Sequence, residues 1–118
     1  EAFTVIIEND FAGKWNIVEA LDMADDYLDL TPDSRILIDV KGKNEVVGDY
    51  QFGAQDGFID GHFERDKEDL RLIFSFEGSD EGDDTSGFGV AVCESLDTPL
   101  MKMYYHMGDA YSLRCKRD

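Results

Sequence analysis

Residues 69–77 read Asp-Leu-Arg-Leu-Ile-Phe-Ser-Phe-Glu, and every second position from 70 to 76 holds Leu or Phe. Successive side chains of a β-strand point to opposite faces of the sheet, so a period of two predicts a strand with one buried face. Arg71, Ser75 and Glu77 would then point outward. This stretch is therefore the clearest strand in the sequence.

Similar short segments lie on both sides of this strand and are separated by Gly- and Asp-rich breaks. In residues 34–40, Ile36, Ile38 and Val40 alternate with Arg35, Leu37 and Asp39, and the isoleucines are expected to point inward. The other predicted strands are residues 3–7, 14–20, 46–52, 57–63, 87–94, 100–106 and 110–116.

About eight antiparallel strands with short connections predict an all-β fold with one domain over residues 1–118. Closing the sheet removes its exposed edges, so we expect a small up-and-down β-barrel, with a β-sandwich as the alternative. Residues 20–30 are the exception, because Ala20, Met23 and Tyr27 follow helical spacing. They predict one short helix that would plug a mouth of the barrel, with Asp22 as its cap, or else an irregular loop.

The formal net charge of −16 disfavours nucleic acid and anionic membranes as partners. No apolar run is long enough to span a bilayer and the first residues lack a basic segment, so we expect a soluble, cytoplasmic protein. Cys93 and Cys115 lie in predicted strands and form no metal or redox motif. Free core thiols are expected, and a disulfide between neighbouring strands is the alternative.

Gly13-Lys14-Trp15 opens an early predicted strand and Arg114 lies in the last one. This combination resembles the G-x-W and late Arg of calycin barrels, such as lipocalins and avidins. The resemblance implies a calycin-like barrel in which the Arg114 guanidinium stacks on Trp15 at a closed end.

Residues 76–87 and 106–109 carry a second resemblance, to a family of small uncharacterised bacterial proteins. It extends from about Gly13 to Arg114. The resemblance implies a small domain that recurs among these proteins, and it assigns no biochemical role.

Asp80, Glu81, Asp83 and Asp84 place four carboxylates within five positions, with glycines nearby. Clustered carboxylates on a turning backbone suit a divalent cation such as Ca²⁺ or Mg²⁺, although the spacing is not that of an EF-hand. Crowding can also raise the pKa of a carboxyl, as a general acid requires. The alternative is a solvated hairpin loop.

His106 and Asp109 follow the next predicted strand, and we expect them at the same barrel rim as the acidic segment. His106 would lie outward or at the rim, where a surface histidine paired with a carboxylate is the alternative. Two unrelated histidines make a zinc site improbable, and no nucleophile motif occurs, so no catalytic residue is assigned. The expected rim site comprises Asp80, Glu81, Asp83, Asp84, His106 and Asp109.

Three functions fit this sequence. The first is a binding module for a small apolar or mixed-polarity ligand, with no cofactor evident except a divalent cation. The second is an enzyme that uses residues 80–84 with His106. The third is an acidic interaction or self-assembly domain, in which outward Ile73, Leu100 and Tyr104 permit a homodimer. The expected interior set, either packed or lining a cavity, is Phe74, Phe76, Met101, Met103, Tyr105, Tyr111 and Leu113.

Overall fold

The computed structural model describes residues 6–23, 26–42, 44–67 and 69–118. The described strands are β1 (Gly13–Ala20), β2 (Arg35–Gly42), β3 (Glu45–Phe52), β4 (Gln55–Asp66), β5 (Asp69–Asp80), β6 (Asp83–Ser95), β7 (Thr98–Tyr105) and β8 (Ala110–Arg117). Each strand pairs antiparallel with the next, and β8 pairs with β1, which closes the sheet. The predicted eight-stranded up-and-down barrel is confirmed, and the sandwich alternative is wrong.

The barrel interior is filled by the alternate side chains of the strands. Leu70, Leu72, Phe74 and Phe76 of β5 are buried, as the period of two predicts. Ile36 and Ile38 of β2 are buried as well. Five members of the expected interior set are buried, whereas Tyr105 and Tyr111 are half-buried near one end. Most of the interior is thus a packed core.

The two ends of the barrel receive different connections, because the strands are antiparallel. One end, called here the open end, carries the β1–β2, β3–β4, β5–β6 and β7–β8 connections. The opposite or closed end carries the β4–β5 and β6–β7 connections and a 3₁₀ turn at Glu8–Phe11.

Trp15 lies at the closed end, but its cationic neighbour is Arg117 and not Arg114. The Arg117 guanidinium carbon is 4.1 Å from the centroid of the Trp15 ring. The Arg114 side chain points outward and approaches Glu19 at 3.6 Å. The predicted Trp15–Arg114 pair is therefore wrong, because Leu113 and Cys115 point inward and Arg114 between them cannot.

Residues 20–30 do not form the predicted α-helix. β1 continues to Ala20, and the described remainder contains only a 3₁₀ turn at Tyr27–Leu30, while residues 24–25 lie outside the described part. The Leu21 N–H donates to the Ser112 carbonyl at 2.9 Å, and the Asp22 carboxylate accepts from the Ser112 N–H at 2.9 Å. These bonds extend the strand pairing, so Asp22 caps no helix. No described helix is long and apolar enough to cross a membrane.

The acidic segment is a tight turn rather than a loop over residues 80–84. β5 extends to Asp80 and β6 begins at Asp83, which leaves Glu81 and Gly82 as the turn. Their φ angles are 53° and 88°, both in the left-handed region. A two-residue hairpin of type I′ needs this region at both central positions, and glycine enters it without steric cost.

The predicted strand over residues 3–7 lies mostly outside the described part of the chain. Ile6 and Ile7, which are described, belong to no strand.

Both cysteines are free, as predicted, with Cys115 buried and Cys93 half-buried. Burial raises the pKa of the Cys115 thiol to about 12 and that of Cys93 to about 11. Both thiols are therefore protonated at neutral pH and poor nucleophiles.

Candidate ligand site at the open end of the barrel

A cavity of about 310 Å³ opens at the open end of the barrel. This volume is at the lower limit of the range typical of small-molecule pockets. The residues that line it are Gln55, Asp80, Asp84, Thr85, Ser86, Tyr105, His106, Gly108, Asp109 and Tyr111.

Four residues of the expected rim site line this cavity: Asp80, Asp84, His106 and Asp109. Asp80 is half-buried, and the other three are exposed. Glu81 and Asp83 lie in or beside the β5–β6 turn, are exposed, and are not among the lining residues. The structure thus brings the end of β5, the start of β6 and the β7–β8 connection to one place.

Backbone hydrogen bonds hold the cavity rim together. The His106 N–H donates to the Ser86 carbonyl at 2.7 Å, which ties the end of β7 to β6. The Tyr105 N–H donates to the Asp109 carbonyl at 3.0 Å and closes the β7–β8 connection. Because these bonds involve only the backbone, side-chain variants of His106 or Asp109 should leave the rim in place.

Gln55 forms the floor of the site and was not expected from the sequence. Its side chain is the one buried polar or charged side chain among the described residues. Its Nε2 donates to the Tyr27 hydroxyl oxygen at 3.1 Å, and the Tyr105 hydroxyl donates to its Oε1. Gln55 lies in what reads as a turn, so no sequence signal distinguishes it from a surface glutamine.

Tyr27 reaches this network across Gly53. A Cβ atom on Gly53 would lie 1.9 Å from Cε2 of Tyr27, and the φ of Gly53 is +58°. Only glycine meets both conditions without strain. Tyr27 also packs edge-on against Phe52, with ring centroids 6.3 Å apart, so the 3₁₀ turn covers part of the open end.

The tyrosines of the site are neutral hydrogen-bonding groups. Burial raises the pKa of Tyr105, and the nearby hydroxyls and the Asp80 carboxylate raise it further. The pKa of Tyr111 is raised by its partial desolvation first and by the Asp109 carboxylate second. Neither can act as a base near neutral pH, but both offer a hydroxyl and an aromatic ring to a ligand.

The charged side chains that line the cavity are predominantly acidic. Asp80, Asp84 and Asp109 contribute carboxylates, no Lys or Arg lines the cavity, and His106 is the single lining residue that can become cationic. The Thr85 hydroxyl is buried, makes no hydrogen bond of good geometry among the described residues, and lies near the Tyr50 hydroxyl, whose pKa it lowers against the larger effect of burial. The lining therefore combines negative charge, aromatic rings and one incompletely satisfied hydroxyl.

Within the described ranges, no three His, Cys, Asp or Glu side chains converge closely enough to hold a metal ion. No hydrogen bond joins the His106 ring to a carboxylate there either. The divalent cation and the carboxylate–histidine enzyme therefore stay predictions.

The chain matches no family model, and neither a curated protein nor a solved structure is significantly similar to it.

Proposed function

We propose that this protein is a small-molecule binding module whose ligand enters the open end of the barrel. The observation that carries the proposal is the cavity of about 310 Å³, with half-buried tyrosines inside and carboxylates around its rim. The packed core below it leaves the ligand at the mouth of the barrel instead of deep within it. The calycin-like relationship and a bacterial origin stay part of this proposal.

The lining chemistry favours a small organic cation of mixed polarity. Three carboxylates attract an ammonium group, and the Tyr105 and Tyr111 rings suit the methyl or methylene groups around it. The Thr85 hydroxyl supplies a hydrogen bond for a polar group of the ligand. An anionic ligand would face the same carboxylates and is disfavoured.

Titration calorimetry with choline and with its uncharged carbon isostere, dimethylbutanol, tests this proposal. We expect choline to bind about tenfold more tightly or better, because its charge interacts with the carboxylates and the rings. Similar affinities for the two compounds would contradict a cation site.

Two variants locate the binding. Asp80→Asn and Asp109→Asn should each weaken choline binding several-fold, while Asp97→Asn at the closed end should leave it unchanged. Equal effects of all three would show a response to overall charge and no specific site.

The two free thiols fit a reducing compartment, and the cytoplasm is the proposed location. A carboxylate–histidine enzyme that uses residues 80–84 with His106, and an acidic interaction or self-assembly domain such as a homodimer, are the alternative functions.

A further inference from the structure

The outer surface of the barrel carries a second concave region, which adjoins the open-end cavity because Ser86 and His106 line both. A groove of about 520 Å³ crosses β4, β5 and β6, and Phe58, Asp60, Ser75, Glu77 and Ser86 are among the residues that line it. Phe58, Glu77 and Ser86 are cross-strand neighbours, as are Asp60 and Ser75. The side chains of Ser75 and Ser86 are short, which leaves space between the larger side chains that line the groove.

Exposed aromatic rings border this groove. Phe58 is 74% exposed and Phe88 is 56% exposed. Phe88 is the cross-strand neighbour of Ser75 and stacks on Tyr104, with ring centroids 4.8 Å apart and planes at 12°. Such rings gain free energy when a partner covers them, and aromatic residues are frequent at binding interfaces.

The carboxylates at the groove form no ion pair with any described residue. No Lys or Arg lines the groove, where His106 is the one basic side chain, and Lys102 lies over the Tyr104 ring, 5.3 Å from its centroid. On β2 and β3 the situation is the opposite, because Arg35 contacts both Asp33 and Asp49. The groove therefore presents aromatic surface flanked by unneutralised negative charge.

We propose that this groove docks a basic segment of a partner protein, with lysine or arginine side chains beside apolar ones. Cationic side chains would pair with Asp60 and Glu77 and pack on the exposed face of Phe58. The net charge of −16 opposes a second copy of the same chain as the occupant. The groove shares Ser86 and His106 with the proposed small-molecule site, but Phe58, Asp60 and Glu77, on which this proposal rests, do not line that site.

The test is amide chemical-shift mapping with a short synthetic peptide in which lysines alternate with phenylalanines. We expect saturable shifts at Phe58, Ser75 and Glu77 and none at Glu19 or Arg114, which lie on β1 and β8. A peptide of alternating lysines and serines should bind more weakly, and one of alternating glutamates and phenylalanines should not bind. Equal binding of the two lysine peptides would overturn the proposal, since charge alone would then explain it.

Two substitutions of exposed apolar side chains test whether the peptide binds at Phe58. Phe58→Ser should weaken peptide binding about fivefold or more, as removal of an interface anchor does. Val18→Ser, which changes another exposed apolar side chain, on β1, should not weaken it. If both variants bind like the original chain, the groove is not the docking site. Phe58-dependent dimerisation in sedimentation equilibrium would overturn the proposal in favour of a second copy.

Discussion

The two ends of the barrel are covered by different sets of contacts. At the closed end, Trp15 is covered by Arg117, and its indole N–H donates to the Phe11 carbonyl at 2.9 Å. At the open end, Gln55 and tyrosine hydroxyls form a hydrogen-bonded floor below a cavity. The polar groups at the closed end are used in contacts with the ring and backbone carbonyls of that end, whereas the open end leaves a polar cavity above its hydrogen-bonded floor.

Truncation of the closed end should have the largest effect on stability. Trp15→Ala removes a buried ring and should lower the free energy of unfolding by about 3–5 kcal/mol. Urea unfolding followed by circular dichroism measures the change. Trp15→Phe keeps most of the apolar contact and should lose much less. If Trp15→Ala costs no more than Asp109→Asn at the open end, the closed end is not the more tightly packed one.

Alkaline pH should destabilise the protein through two groups whose contributions begin at different pH values and then overlap. The thiols near the closed end act first, because the pKa of Cys115 rises from 9.0 to about 12 on folding. The folded state holds this proton more tightly, so stability is complete below pH 9 and falls as the pH rises toward 12. Tyr50 in the open half follows, since burial raises its pKa from 10.0 to about 12.

Unfolding midpoints measured over this pH range check the order in which the two contributions begin. A double variant, Cys93→Ala with Cys115→Ala, should begin to lose stability only near pH 10, relative to its own value at neutral pH. A loss that starts at pH 9 in the double variant would assign it to groups other than the thiols.

Arg117 and Arg114 offer a matched pair on one strand. The Arg117 guanidinium donates to the carbonyls of Ala12 at 3.2 Å and of Asp10. Arg117→Met should therefore cost about 2 kcal/mol, since charge-assisted hydrogen bonds are lost with the ring contact. Arg114→Met, which removes an exposed ion pair with Glu19, should cost about 0.5 kcal/mol or less. Equal costs in chemical denaturation would contradict the structural role of Arg117.

Gln55→Met should have a somewhat smaller effect than Arg117→Met, about 1–2 kcal/mol. Met has a similar shape, but it leaves the Tyr105 hydroxyl without its acceptor and removes the donor to Tyr27. Choline binding and urea unfolding, measured on the same sample, separate a loss of stability from a loss of the site. A neutral effect on both would show that the hydrogen-bonded floor is not required.

Alternation of side chains predicted much of the barrel. It places Phe74 and Phe76 inside the barrel. Because Leu113 points inward, the same alternation points Arg117 inward and Arg114 outward. The pairing of Trp15 with Arg114 rested on the resemblance to calycins, and the parity of the strand contradicts it.

Asp80, Asp84, His106 and Asp109 could be grouped from the sequence because alternate hairpin turns meet at one end of an up-and-down barrel. Gln55 and Tyr27 could not, because their contact joins segments that only the closed barrel brings together.

The sequence by itself determined the strands, their inward faces and the acidic character of the surface. These follow from local periodicity and composition, which act over a few residues. The tertiary structure alone decided that the open end retains a cavity, that Tyr27 packs over Gly53, and that exposed Phe58 lies beside unpaired carboxylates. These features depend on strand register and on barrel closure. Both result from many weak contacts between residues far apart in the chain, so they leave no local pattern in the sequence.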